Sequence, residues 1–297
     1  MSIHTWGHLT AMLTVLVWGT TFVSTKLLLF DYTPIEILFF RFILGFCVLA
    51  LCKPQRLHTL GWQEDKYLVA AGFCGITLYF LLENIALTYT YASNVCLILA
   101  LVPFLTALCS SSLLGEAALS RNFFWGFAFA MGGLLLIVFN GSVILKLNPL
   151  GDLLALLAAI VWSIYSVLLK KISTFNYDTL LCTRNIFGYG LVLMLPALFF
   201  MDFQWGFYRL ENDINLFNLV YLGVGASALC FWSWSWAIKA IGPVKTSMYI
   251  YISPVVTLIT SALILQEQIT WLAGVGTTLI LAGLVLSGQT KPPATAC

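Results

Sequence analysis

Apolar residues fall in long blocks, and short polar stretches separate one block from the next. A helix needs about 20 such residues, at 1.5 Å per residue, to cross the hydrocarbon core of a membrane. The pattern predicts ten helices, at roughly 8–28, 34–52, 67–88, 92–114, 122–141, 151–170, 178–201, 216–238, 244–265 and 270–288. The longest connections, near 53–66 and 202–215, are too short to fold as domains. Any chemistry therefore belongs within the helical bundle or at its mouths. No Lys or Arg precedes the first block, its length exceeds a signal-peptide core and no A-x-A pattern follows, so it reads as a retained span.

Composition narrows the class. Of the 297 residues, 61% are hydrophobic and 9% charged, against about 25% charged in soluble domains. The expected fold class is an all-α integral membrane protein. A formal net charge of +2 gives no reason to expect a nucleic-acid partner. The eight cysteines lie mostly in apolar blocks without CxxC spacing and read as small hydrophobic fillers. His4, His8 and His58 all come early, so no metal site, cofactor or mid-membrane histidine chemistry is expected. With the N-terminus in the cytoplasm, the inner connections carry Lys53, Arg56, Lys66, Arg121, Lys170, Lys171, Lys239, Lys245 and Lys291. The outer ones carry only Lys26, Lys146 and Arg209. This bias satisfies the positive-inside rule and places both termini in the cytoplasm.

The two halves of the chain resemble each other. Trp18 pairs with Trp162 and Lys26 with Lys170 at an offset of 144, and Arg41 with Arg184 at 143. Ala86, Pro103, Glu116 and Gly132 match Ala237, Pro254, Glu267 and Gly283 at an offset of 151. Five predicted spans per half is an odd number, so the second half enters the membrane from the opposite side. Inverted repeats of this kind belong to alternating-access transporters, which bind solute at the midplane between the halves. The expected units are 8–141 and 151–288, followed by a short cytoplasmic tail, 289–297.

The segments "VWGTTFVSTK", "ALTYTYASNVCLILALVPFLTALCSSSLLGE" and "FAFAMGGLLLIV" resemble the drug/metabolite transporter superfamily, EamA type. The resemblance covers about 8–139 and 151–287. It implies a ten-helix 5+5 inverted bundle around a central cavity lined by helices 1, 3, 4, 6, 8 and 9. It also implies a multi-pass exporter of amino acids or related metabolites in the bacterial inner (plasma) membrane.

Candidate site residues follow from cost and position. Glu83 lies deep in the third block, where an acid costs about 2.5–3.5 kcal/mol and should face the bundle interior. It could hold a substrate ammonium or exchange a proton, or be a structural carboxyl capped by Asn84 or a neighbouring hydroxyl. Tyr79 and Leu87 share its helical face, and its repeat partner is Trp234. Trp18, Thr21 and Phe22 on helix 1, with Trp162, Tyr165 and Ser166 on helix 6, form matched faces. Trp232, Trp234, Trp236, Tyr249 and Tyr251 add aromatics in helices 8 and 9. These rings could wall a cavity, pack the interior or form an interfacial belt. Asn94 is a further polar candidate, and its partner Lys245 reads as a snorkelling end charge.

Arg41 and Arg184 snorkel or pair with Glu36 or Asp178, or else gate or hold a substrate carboxylate. Pro103 and Pro254 should bend their helices, as hinges or as static kinks. Glu116 and Glu267 read as structural. Gly126, Ala130 and Gly132, with Gly274, Thr278 and Ala282, allow close contact of helices 5 and 10, in a monomer or a homodimer.

No P-loop, HExxH or mid-membrane histidine is present, which disfavours an ATP-driven pump or an enzyme. The expected function is secondary export of a small amphipathic solute, by facilitated diffusion or against protons. The runner-up, a nucleotide-sugar or organic-phosphate exchanger, wants several cavity cations. A lipophilic-drug exporter is the other branch.

Overall fold

The computed structural model describes residues 2–55, 57, 61–89, 95, 98–115, 120–138, 148–201, 203–264 and 271–288. All regular structure among them is helical. We label the rods α1 (Ile3–Leu28), α2 (Pro34–Cys52), α4 (Val102–Leu114), α5 (Arg121–Val138), α6 (Pro149–Ser173), α7 (Thr179–Phe200) and α10 (Trp271–Gly288). The other three are composite. In α3, Trp62–Gly72 continues through a π-helical stretch, Phe73–Leu78, into Tyr79–Tyr89. In α8, Asp213–Val220 passes through π-helical Tyr221–Leu229 into Cys230–Ile241. In α9, Pro243–Met248 passes through a 3-10 turn, Tyr249–Ile252, into Ser253–Ile264.

Among the described residues, 7 helices are long and apolar enough to cross a membrane. Val102–Leu114 and Gly274–Ser287 are shorter apolar helices. Along α7, Val192, Leu195, Phe199 and Phe200 stand exposed, an apolar surface that suits lipid and that water would penalise. The chain is an integral membrane protein.

Helix starts are written in local polar residues that hydropathy ignores. Ser2, Asn148, Asp178 and Asn212 each accept hydrogen bonds from backbone N–H groups of the turn they open. This is why α1 begins at Ile3 rather than near residue 8, and α8 at Asp213 rather than near 216. Gly115 (φ 66°) closes α4, and Gly242 (φ 85°) separates α8 from α9, conformations that side chains with a Cβ disfavour.

The packing repeats between halves. α1 packs on α8 and α9, as α6 packs on α3 and α4; α2 lies on α8, as α7 lies on α3. Shifted by the repeat offset, the π stretch of α3 falls within that of α8. The prolines share one setting too. Each is the second residue of a helical segment that follows tight i→i+3 bonding, Leu101 N–H to the Ile98 carbonyl before Pro103 and the 3-10 turn before Pro254. There a missing N–H costs little.

α5 and α10 meet through backbone. A Cβ on Gly126 would come within 2.5 Å of the Gly283 carbonyl oxygen, and one on Gly133 within 2.4 Å of Gly276's. As α5 advances from Gly126 to Gly133 its partner retreats from Gly283 to Gly276, so the two run antiparallel. Of the small residues expected to allow this contact, Gly126 and Ala130 lie on it, whereas nothing lies within 4 Å of a Cβ built on Gly132 or Gly274. Both are one or two positions away from the contact line.

Candidate functional site

The structure brings aromatics from both halves to one centre. Ring centroids of Trp18 (α1) lie 5.6 Å from Trp162 (α6) and 5.0 Å from Trp234 (α8). Trp162 and Trp234 are 6.4 Å apart, and Tyr79 (α3) is 4.7 Å from Trp162. Phe231 packs on Trp18 at 5.5 Å and on Trp162 at 5.9 Å, and continues into Phe42 and Phe187. Pairs of this kind contribute roughly 0.5–1.5 kcal/mol each. Tyr79 directly follows the π stretch of α3, and Phe231 and Trp234 follow that of α8. An i→i+5 turn resets the angular register, which aims these rings inward.

The three indole N–H groups are not equivalent. Trp18 Nε1 donates to the Ala226 carbonyl oxygen, within the α8 π stretch, at 2.9 Å. Trp162 Nε1 and Trp234 Nε1 are buried and have no acceptor among the described residues. A buried donor left unpaired costs about 1–3 kcal/mol.

Glu83 stands beside this centre. It is half-buried, Tyr79 Oη donates to its Oε1 at 3.3 Å, and Arg41 is the charged group that acts on it electrostatically. Arg41 is 8% exposed. Its Nε donates to Ser227 Oγ at 2.9 Å, and its guanidinium carbon lies 5.2 Å from the Phe42 and Phe80 ring centroids. The expected pairing of Arg41 with Glu36 is therefore not made. Nor does Arg184 pair with Asp178: its Nη1 donates to the Lys53 carbonyl oxygen at 2.7 Å.

Those two acids serve opposite ends of the bundle instead. Glu36, in the first turn of α2, is 1% exposed. It takes Arg209 Nη1 at 2.9 Å on Oε2 and Nη2 at 3.1 Å on Oε1. Backbone N–H groups of Thr33 and Gln204 donate to it at 2.7 and 2.9 Å. Arg209 also donates to the Asp31 carbonyl and stacks 4.5 Å over the Tyr32 ring. Its hydrogen bonds to Glu36 raise its pKa above the usual arginine value. Phe39, Phe40, Phe203, Trp205 and Phe207 roof this knot.

At the other end, Asp178, the N-cap of α7, pairs with Lys53 at 2.6 Å, with side chains 41% and 32% exposed. Burial pushes the Asp178 carboxyl up. The Lys53 ammonium and the Leu181 and Leu180 N–H groups outweigh this and hold it below the usual carboxylate range. An open cleft of about 580 Å³ adjoins the pair, lined by Lys53, Asp178, Trp232, Trp236 and Lys239 among others.

The sequence profile of the EamA-like transporter family matches residues 5–139 and again 149–289. The chain belongs to the EamA-like transporter family. This EamA-like chain is 25% identical over 290 residues to an Archaeoglobus fulgidus protein named an uncharacterized transporter, covering 94% of this chain and 96% of that one. Protein PecM of Dickeya dadantii is 28% identical, with 91% and 88% covered. A Streptantibioticus cattleyicolor protein named "probable terminal-alkyne amino-acid exporter" is 26% identical, with 93% and 91% covered. One crystal structure shares the fold at a TM-score of 0.78 and 19% identity, covering 95% of this chain and 98% of that one. Family and relatives alike indicate a transporter rather than an enzyme.

Within this EamA-like chain, Trp18, Tyr79, Glu83, Trp162 and Trp234 converge. Tyr165 and Ser166 are fully buried on α6, Tyr165 at 5.2 Å from Trp162 and Ser166 bonded back to the Trp162 carbonyl. Thr21 bonds back to the Trp18 carbonyl, and Asn84 is half-buried beside Glu83. Tyr249 is held elsewhere, its hydroxyl 2.9 Å from His8 Nδ1. Tyr251 packs with Ala130 and Val255, away from the centre. Asn94, Glu116, Glu267 and the side chain of Phe22 lie outside the described residues. Sequence reasoning passed over Phe42, Phe187 and Phe231. With 22 phenylalanines in the chain, only their placement next to the π stretches and repeat tryptophans could have marked them.

Proposed function

We propose that this chain is a secondary transporter that exports amino acids or related amphipathic solutes by alternating access. All ten rods would cross the membrane as a 5+5 inverted repeat, with both termini in the cytoplasm of a plasma membrane. The observation that carries the reading is the meeting of repeat-matched Trp18 and Trp162 with Trp234, Tyr79 and Glu83 between the halves. Rings supply apolar contact, and a carboxylate supplies a counter-charge for an ammonium. The relative named as an amino-acid exporter supports the substrate class. Among the described residues the only arginine or lysine at this centre is Arg41, already engaged by Ser227 and the field of Glu83. That disfavours a phosphate-bearing solute, which wants several free cations. The bias of Lys and Arg supports a cytoplasmic Lys53 end, which would leave the Glu36–Arg209 knot at the outer end.

The test is efflux of radiolabelled amino acids from proteoliposomes, with and without a pH gradient. Saturable flux is expected, falling about tenfold or more in Glu83→Gln, since a hydrogen bond to a charged group contributes about 1.5–3 kcal/mol. Dependence of flux on the gradient identifies proton coupling, and indifference identifies facilitated diffusion. Folded protein that moves no amino acid overturns the substrate class.

A further inference from the structure

The aromatic centre holds two indole N–H groups that packing does not explain. Trp162 is 5% and Trp234 0% exposed, and each indole Nε1 lacks an acceptor among the described residues. Phenylalanine would fill much of the same apolar space without burying an unpaired donor. Trp18, with the Ala226 carbonyl at 2.9 Å, shows that this centre can satisfy an indole when nothing else is to be bound. The two orphan donors belong to opposite halves, and their ring centroids lie 6.4 Å apart. Both rings also touch Trp18, whose own N–H is turned away toward α8.

The matched positions of the repeat sharpen this. The partner of Trp234 in the first half is Glu83. One half therefore offers an acceptor with negative charge where the other offers a donor. Tyr79 bridges the two sides, its hydroxyl on Glu83 and its ring 4.7 Å from Trp162. A solute that satisfies all these groups needs a cationic donor end for Glu83. It also needs an acceptor end with two lone-pair directions for the two indoles. A carboxylate has two such oxygens.

We infer that Trp162 and Trp234 are specificity-determining residues whose indole N–H groups take the carboxylate of the transported solute. This rests on the transport reading above and names which end of the solute each group reads. The two ring centroids lie 6.4 Å apart, so the carboxylate enters by parting Trp162 from Trp234. Each oxygen then accepts one N–H, and no bond is made or broken.

Two measurements on the full-length chain keep this inference separable from the transport reading. The first is the 15N–1H shift of the Trp162 and Trp234 indoles in detergent, titrated with L-phenylalanine, 3-phenylpropionate and phenethylamine. Both signals should move with the two carboxylates and stay still with the amine. Signals that no carboxylate moves, or that the amine moves equally, overturn the assignment, whatever the flux assay gives. The second is flux of L-phenylalanine and phenethylamine by Trp162→Phe and Trp234→Phe. Each variant should raise KM for the amino acid about tenfold, equivalent to about 1.4 kcal/mol. KM for the amine should hold, and the thermal midpoint should be unchanged or higher, because an unpaired donor has been removed. Equal KM changes for both solutes, or a lowered midpoint with unchanged KM, would make the indoles wall packing.

Discussion

The two ends of the bundle use the same device with different strength. At each, a carboxylate at the start of a repeat-matched helix, α2 or α7, holds a cation from the far half of the chain. At the Glu36 end the acid is 1% exposed and its arginine side chain 11%, with two backbone N–H groups and an aromatic roof completing the shell. At the Lys53 end both partners are about a third or more exposed, beside an open cleft. Breaking a buried pair strands a charge away from water, whereas an exposed pair is replaced by water at little cost. The difference teaches that sequence symmetry does not make the two closures equal. Burial makes the Glu36 end the firmly held one and the Lys53 end the yielding one.

Breaking the strong side should have the largest effect. Arg209→Met leaves Glu36 buried with its N–H donors but no counter-charge, and about 3 kcal/mol of stability should be lost. Thermal or SDS unfolding in detergent reads this, and a loss no larger than that of Lys53→Met would refute the ranking. Asp178→Asn retains the helix cap and removes the ion pair, so it should cost at most about 1 kcal/mol, less in high salt. Asp178→Ala also loses the cap and should cost roughly 1 kcal/mol more.

The smallest effect is in pH. The Asp178 carboxyl sits below its usual value in the folded chain, so its contribution is present above the unfolded value near 4 and is lost as pH falls through the lower folded value. Solvent exposure limits it to a few tenths of a kcal/mol. Thermal midpoints of the wild type and Asp178→Asn should therefore converge as the pH falls through that lowered folded value. A gap that widens on acidification would reverse the sign assigned to this pair.

These closures were the least legible part of the chain. Long apolar blocks marked the helices, because a membrane span is a local property of about twenty residues. The repeat likewise marked Trp18 and Trp162, which meet as matched faces should. Charge partners are not local: Glu36 and Arg209 are 173 positions apart, and the nearer choice, Arg41, lies deeper, at Ser227. Two of the glycines at the α5–α10 crossing were misplaced because hydropathy marks small residues without fixing which way they point. The π stretches were invisible to a search tuned to 3.6 residues per turn, and with them went Phe231, the ring on which the central tryptophans close. His8 captures Tyr249 from the other end of the chain, again a long-range pairing.

Glu83 and Trp234 occupy corresponding places in the two halves, yet one carries only acceptor oxygens when ionised and the other a single N–H donor. Two separate copies of a single half-chain would have had to carry the same residue on both sides. Joined in one polypeptide, the copies are free to differ, and the centre acquires a direction. On the inference drawn above, a solute with unlike ends would have one way to sit, head to the acid and tail to the indoles.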